Sequence, residues 1–110
     1  MPIEFKHTKR FAKDVIRLRK RFRRIEEDID ALKAEMRDQH YRGDFMPGYG
    51  MPIYKVRAAN RSAGRGKRGG FRIIYRPVND ELFLFLHVYS KSDKDNVSLG
   101  EVSRLLSDRN

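Results

Sequence analysis

The chain has 110 residues, of which 39% are hydrophobic, and it carries a formal net charge of +10. Its length predicts one domain spanning residues 1–110, and the absence of Cys excludes a disulfide framework and thiolate chemistry. No apolar run is long enough for a membrane span or a secretion signal, so we expect a cytoplasmic protein without a membrane partner.

The first third of the chain has the residue spacing of helices. Its apolar residues, from Phe11 to Met36, are separated by three or four positions, and Thr8 precedes them as a candidate N-cap. The spacing fits either one long helix or a hairpin of two helices, with a candidate break at RFRR (21–24), within the basic run that starts at Arg19. It also fits a coiled coil, although packing against the chain's own sheet is the commoner explanation.

The rest of the chain predicts a small sheet followed by one more helix. Residues 82–89 are apolar on both faces, which is typical of a strand in the middle of a sheet. Ser98 and Glu101 have the spacing of a capping box at the start of a short helix. Predicted strands lie at 53–58, 71–76 and 82–89, with a further short one near 3–5, and predicted loops lie at 43–52, 60–70 and 90–97. We therefore predict an α+β fold in which helices come first, an antiparallel meander follows and a small helix ends the chain.

The positive charge is segregated along the sequence. Residues 53–76 contain eight basic residues and no acidic one, and residues 9–24 contain nine basic residues against Asp14 alone. Such clustering is typical of a surface that meets a polyanion. The first of these clusters includes the predicted loop 60–70, which contains the sequence GRGKRGG.

Motifs of several enzyme classes are missing. Lys67 follows Gly66 but precedes Arg68, so the Walker A pattern is not met. The three His residues are scattered and no GxSxG motif is present, so we expect no metal ion, no cofactor and no serine-type triad.

The remaining candidates are cations beside the predicted sheet. Lys55 and Arg57 are two positions apart and point to one face of their strand. Each cation alone would be an ordinary solvated side chain, but several together suit a polyanion such as RNA. RNA supplies its own nucleophile, the 2′-OH, so a base, cations and an acid suffice to cleave it. His87 is the conventional acid or base, but we expect a half-buried structural histidine within its apolar run.

Two segments resemble a known family. YKVRAAN and GKRGGFRIIYRPVNDELFLFLHVYSKSDKDNVSLGEVSRLL are similar to the RelE/ParE superfamily of type II toxin–antitoxin toxins, and most similar to its HigB-like branch. The resemblance extends from about residue 53 to residue 106. It implies a RelE-like fold, in which a hairpin of two N-terminal helices packs on a small antiparallel sheet with a short C-terminal helix. It also implies a toxin that cleaves mRNA in the ribosomal A site and is held inactive by a cognate antitoxin.

The resemblance also assigns roles to residues. Lys55 and Arg57 match the basic pair of the first meander strand, with Lys55 as candidate base, and Arg72 matches the Arg that stabilises the transition-state phosphate. Lys91 and Lys94 match basic positions after the last strand. For RNA binding we expect loop cations on phosphates and aromatic rings stacked on bases, namely Arg65, Lys67, Arg68, Phe71 and Tyr89.

The sequence departs from the family pattern at two positions. RelE-type enzymes commonly carry an Arg and a Tyr where this chain has Ser92 and Ser98, so the general acid is unassigned. His87, Tyr89 and Lys94 are the available substitutes. Two alternative functions stay open, a non-catalytic gyrase-directed toxin of the ParE type and a basic RNA-binding module, although ParE-like members generally lack such dense cations.

Overall fold

The computed structural model describes residues 2–107 and confirms the α+β class. Its five strands form one sheet in the order β1-β5-β4-β3-β2. Strands β3 to β5 are antiparallel as predicted, and β2 also pairs antiparallel with β3, whereas β1 pairs in parallel with β5 and makes the sheet mixed. The elements are β1 (Glu4–His7), α1 (Lys9–Arg19), α2 (Ile25–Asp38), β2 (Asp44–Phe45), β3 (Tyr54–Ala58), β4 (Phe71–Asn79), β5 (Leu82–Ser90) and α3 (Leu99–Ser107).

The N-terminal helices form a hairpin and not one long helix. Thr8 is the N-cap of α1, since its hydroxyl accepts a hydrogen bond from the backbone N–H of Phe11 at 3.1 Å. The basic run separates α1 from α2, and Phe22 in this turn is buried edge-to-face on Phe71, with ring centroids 5.5 Å apart. The apolar stripe packs on the chain's own sheet, so the coiled-coil interpretation is wrong.

The sheet is covered by apolar residues on both faces. Helices α1 and α2 pack on one face, over Val56, Ile73 and Phe85. Helix α3 packs on the other face, where Val102 and Leu105 join a cluster with strand residues. Strand β5 lies between β1 and β4, which confirms the prediction from its two apolar faces.

The strands differ from the prediction in two places. Strand β4 continues past Arg76 to Asn79, because Pro77 lies beside a β-bulge, where the missing N–H is tolerated. Within the predicted loop 43–52, the two residues of β2 pair with β3. A further bulge lies in β5, where Ile74 pairs with His87 but Tyr75 pairs with Phe85, so that Leu86 is the extra residue.

The last predicted helix has its expected cap. The Ser98 hydroxyl accepts from the backbone N–H of Glu101 at 3.1 Å, and the Glu101 carboxylate accepts from the N–H of Ser98 at 3.3 Å. No helix within residues 2–107 is both long and apolar enough to cross a membrane.

Gly70 is required by close approach of two backbone segments. A Cβ atom at this position would lie 2.0 Å from the carbonyl oxygen of Ala58 and 2.8 Å from that of Gly66. Both obstacles are backbone atoms, so they cannot move away as a flexible side chain would. Gly70 therefore fixes the distance between the basic loop and the end of β3.

We expect Gly70→Ala to destabilise the protein by about 1–3 kcal/mol, the usual cost of forcing extra atoms into a packed site. Gly66→Ala is the matched control, because no heavy atom lies within 4 Å of its Cβ position. Urea unfolding measures both free energies of unfolding. Equal free energies for the two variants would contradict the role given to Gly70.

Candidate nucleic-acid interface

The candidate interface lies on the sheet face opposite α1 and α2. Val56 and Ala58 of β3 are buried beneath these helices, so Lys55 and Arg57 point to the other face. In the strand register Arg57 lies opposite Arg72. The two predicted strand cations thus meet a third cation from the neighbouring strand.

Arg72 is buried, with only 3% of its surface exposed. Its guanidinium donates to the carbonyl oxygens of Lys67 and Arg68, each at 2.8 Å, and more weakly to that of Phe71 at 3.3 Å. Burial first, and then the charge of Arg57, lowers the pKa of Arg72 from its ordinary value. The sequence predicts a phosphate contact for Arg72, but its guanidinium holds the backbone of the basic loop.

Lys55 is the half-buried cation of the group. Its Nζ donates to the side-chain oxygen of Asn96 at 3.2 Å. Burial lowers the pKa of Lys55, and the cations Arg72, Lys91 and Arg57 lower it further, against the opposing charge of Asp44. Arg72, Lys91 and Arg57 therefore lie close enough to Lys55 for their charges to lower its pKa.

The two loop lysines after β5 have different surroundings. The backbone N–H of Lys91 donates to the carbonyl of Gly70 at 2.9 Å, which joins this loop to the start of β4. Lys94 forms an ion pair with Glu101 at 2.7 Å and lies 5.1 Å from the ring centroid of Tyr89. Lys94 is thus partly neutralised, whereas Lys91 adds its charge to that of Lys55.

The basic loop is folded. Asn60 and Arg65 exchange two backbone hydrogen bonds, at 2.8 and 2.9 Å, and short 3₁₀ turns occupy Arg61–Ala63 and Lys67–Gly69. Within residues 2–107, the exposed side chains of Arg65 and Arg68 make no ion pair.

Lys67 is the loop cation that is already engaged. It pairs with Glu35 of α2, and its Nζ lies 4.2 Å from the ring centroid of Tyr41. Of the three loop cations predicted to contact RNA, Arg65 and Arg68 are therefore the ones with open side chains.

The two aromatic residues predicted to stack on bases are both buried, and this prediction is wrong for each. Phe71 has no exposed surface and packs edge-to-face on Phe22. Tyr89 is 3% exposed, and its ring stacks on that of His87 at 5.5 Å between centroids. Burial raises the pKa of Tyr89.

His87 is more deeply buried than predicted. Its Nδ1 lies 2.6 Å from a carboxylate oxygen of Asp14, which also accepts the backbone N–H of Val88 at 3.2 Å. Burial raises the pKa of Asp14, but hydrogen bonding and the charge of His87 outweigh it, so the pKa is lowered. Sequence reasoning missed Asp14, although its position three residues after Phe11 and four before Leu18 places it on the apolar face of α1.

The two serines that depart from the family pattern have structural contacts. The hydroxyl of Ser92 lies 2.7 Å from that of Ser90. Ser98 caps α3. In the described part of the chain, no three His, Asp or Glu side chains are placed to hold a metal ion.

These features define a small basic α+β protein whose sheet presents a cationic surface suited to a polyanion. A family model described as the RelE toxin of the RelE / RelB toxin–antitoxin system matches residues 15–107. The match covers most of the chain, and the protein therefore belongs to the RelE toxin family. Family membership gives it the role of a toxin with an antitoxin partner.

We expect Lys55 to titrate below the ordinary lysine value of 10.5, in a pH titration followed by NMR of its side-chain carbon and nitrogen. Arg57→Gln should raise the Lys55 pKa only part of the way to 10.5, because burial is the largest cause of its lowering and remains. Arg37→Gln, which removes the same charge at an exposed site beside Phe5 on the helix-covered side of the sheet, is the control. An unchanged Lys55 pKa in Arg57→Gln would show that the two cations do not interact.

Proposed function

We propose that this toxin is an mRNA endoribonuclease of the HigB-like branch that acts in the ribosomal A site. The observation that carries the proposal is the half-buried Lys55, whose pKa is lowered by burial and by three neighbouring cations. A lowered pKa increases the fraction of neutral amine near neutral pH, and only the neutral amine can accept a proton. Action on the ribosome also agrees with the cytoplasmic location expected from the sequence.

The proposed reaction is metal-independent attack of the RNA 2′-oxygen on its own phosphate. The 2′-OH proton passes to Lys55, the new bond joins the 2′-oxygen to phosphorus, and the bond from phosphorus to the 5′-oxygen breaks. The products are a 2′,3′-cyclic phosphate and a 5′-hydroxyl, whose proton comes from an acid that is not assigned. Arg57 is exposed and makes no ion pair within residues 2–107, so its donors are open to the phosphate oxygens.

Arg72 has a positioning role in this proposal. Its hydrogen bonds to the basic loop occupy its guanidinium, so it acts on bound RNA through its charge and through the loop. Lys91 adds charge beside the reacting phosphate, and Arg65 and Arg68 bind neighbouring phosphates of mRNA or ribosomal RNA. The partly neutralised Lys94 contributes least.

The buried Arg72 favours a second candidate function. If this Arg is unable to reach a phosphate, the same face would dock on RNA or on the ribosome without cleaving it. The gyrase-directed alternative is supported less, because it leaves the convergence of Lys55, Arg57 and Lys91 unexplained.

Primer extension on a defined mRNA tests the proposal, with purified protein and with or without translating ribosomes. We expect cuts in phase with codons only when ribosomes are present. Lys55→Met should slow cleavage by about 10²-fold or more, as expected for loss of a general base. Arg57→Gln should slow it by a similar factor, as expected for loss of a phosphate donor.

Arg37→Gln is the control for charge and should cleave at the rate of the unmodified protein, because Arg37 lies over Phe5 on the helix-covered side of the sheet. Co-sedimentation with ribosomes separates the two candidate functions, since the Lys55→Met protein should still bind. Cuts without ribosomes would indicate a free ribonuclease, and absence of cuts with retained ribosome binding would favour the docking function.

A further inference from the structure

A cavity of about 500 Å³ lies beside β5 and α3. Strand β1 pairs with β5 only as far as Phe85, so within residues 2–107 the edge of β5 beyond this residue has no neighbouring strand on that side. Helix α1 borders this edge from one face of the sheet and α3 from the other. The cavity is lined by Arg10, His87, Ser98, Glu101, Arg104 and Leu105.

His87, which lines this cavity, has a buried ring nitrogen without a partner among the described residues. Asp14 accepts the hydrogen bond of Nδ1, so Nδ1 carries a proton and Nε2 is the ring atom left over. Within residues 2–107, Nε2 is buried and has no hydrogen-bond partner. A buried polar atom without a partner is costly, and a ligand that pairs with Nε2 would remove this cost.

The charges around the cavity favour an anion. Arg104 is exposed and makes no ion pair in the described part of the chain. Arg10 uses its Nε on Asp14 at 3.1 Å, which leaves its terminal nitrogens open. The carboxylate of Glu101 is already engaged by Lys94 and by the N–H of Ser98. The open side chains are therefore cationic, while both nearby carboxylates are occupied.

We propose that this cavity is a binding site for a phosphate group. The guanidinium groups of Arg10 and Arg104 bind its oxygens, and His87 shares one hydrogen bond with it through Nε2. Phosphate suits this atom in either state of the ring, because a protonated phosphate oxygen donates to neutral Nε2 and an unprotonated one accepts from the imidazolium. A carboxylate ligand would only accept. None of the proposed cleavage residues lines the cavity, although its Glu101 pairs with Lys94, and the proposal does not rest on that function.

The test follows the imidazole nitrogens of His87 by NMR while inorganic phosphate is added to the full-length protein at fixed pH and ionic strength. We expect a saturable shift of Nε2. Arg104→Gln should weaken binding about tenfold, the scale of one charge-assisted hydrogen bond. Arg23→Gln removes the same charge from an exposed site elsewhere and should change the affinity less than about twofold.

Two outcomes would overturn the proposal. An Nε2 signal that does not respond to phosphate would mean that phosphate does not bind beside this atom. An equal loss of phosphate affinity in Arg104→Gln and Arg23→Gln would mean that the affinity depends only on the net charge of the protein. Both variants lie at exposed positions, so the comparison does not depend on replacing a buried residue.

The phosphate group can come from RNA or from a small phosphorylated molecule, and two further ligands distinguish these sources. An oligoribonucleotide without terminal phosphates should displace inorganic phosphate from His87 if the site binds an RNA backbone. Ribose 5-phosphate alone should displace it if the site binds a small phosphomonoester. No ribosome or cleavage step is involved, so failure here is distinguishable from failure of the proposed RNA cleavage.

Discussion

The cationic face depends on one buried guanidinium. Arg72 lies beneath the surface and donates to three carbonyl oxygens, two of them from the turn Lys67–Gly69. A buried cation is tolerated when its donors are satisfied, and here backbone oxygens satisfy them. The same hydrogen bonds hold the basic loop against the sheet. The cations of the glycine-rich loop are therefore held in a fixed position relative to the sheet. The close backbone approach at Gly70 sets the distance between this loop and β3.

Acidic side chains divide the cations into two groups. Glu35, Glu101 and Asp93 pair with Lys67, Lys94 and Arg21, and each pair joins separate segments of the chain. Arg57, Arg65 and Arg68 are exposed without such pairs in the described residues. Exposed pairs add little stability, so their main effect is positional. The chain thus uses some cations to orient loops and leaves others open to a ligand.

The sequence predicted the elements better than the site. Spacing and capping chemistry found the helices, and the apolar faces of residues 82–89 found the central strand, because these patterns are local. Three site predictions depended on whether the side chain is exposed in the fold. Arg72, Phe71 and Tyr89 belong to residue types that often lie at interfaces, but here all three are buried. Their burial depends on strand pairing, on the turn around Phe22 and on α3, none of which a single segment reveals. The pair of Asp14 and His87 joins residues 73 positions apart, and only the fold brings them together.

The parallel pairing of β1 with β5 has a consequence for synthesis. Glu4–His7 leaves the ribosome well before its partners, Leu82 to Phe85, are made. This edge of the sheet therefore closes only after β5 has been made, and contacts of such long sequence separation form slowly. The buried pair of Asp14 and His87 also forms only after β5 has been made, because His87 belongs to β5. A nascent fragment lacking β5 has neither, so a toxin of this design assembles its fold only after β5 has been made.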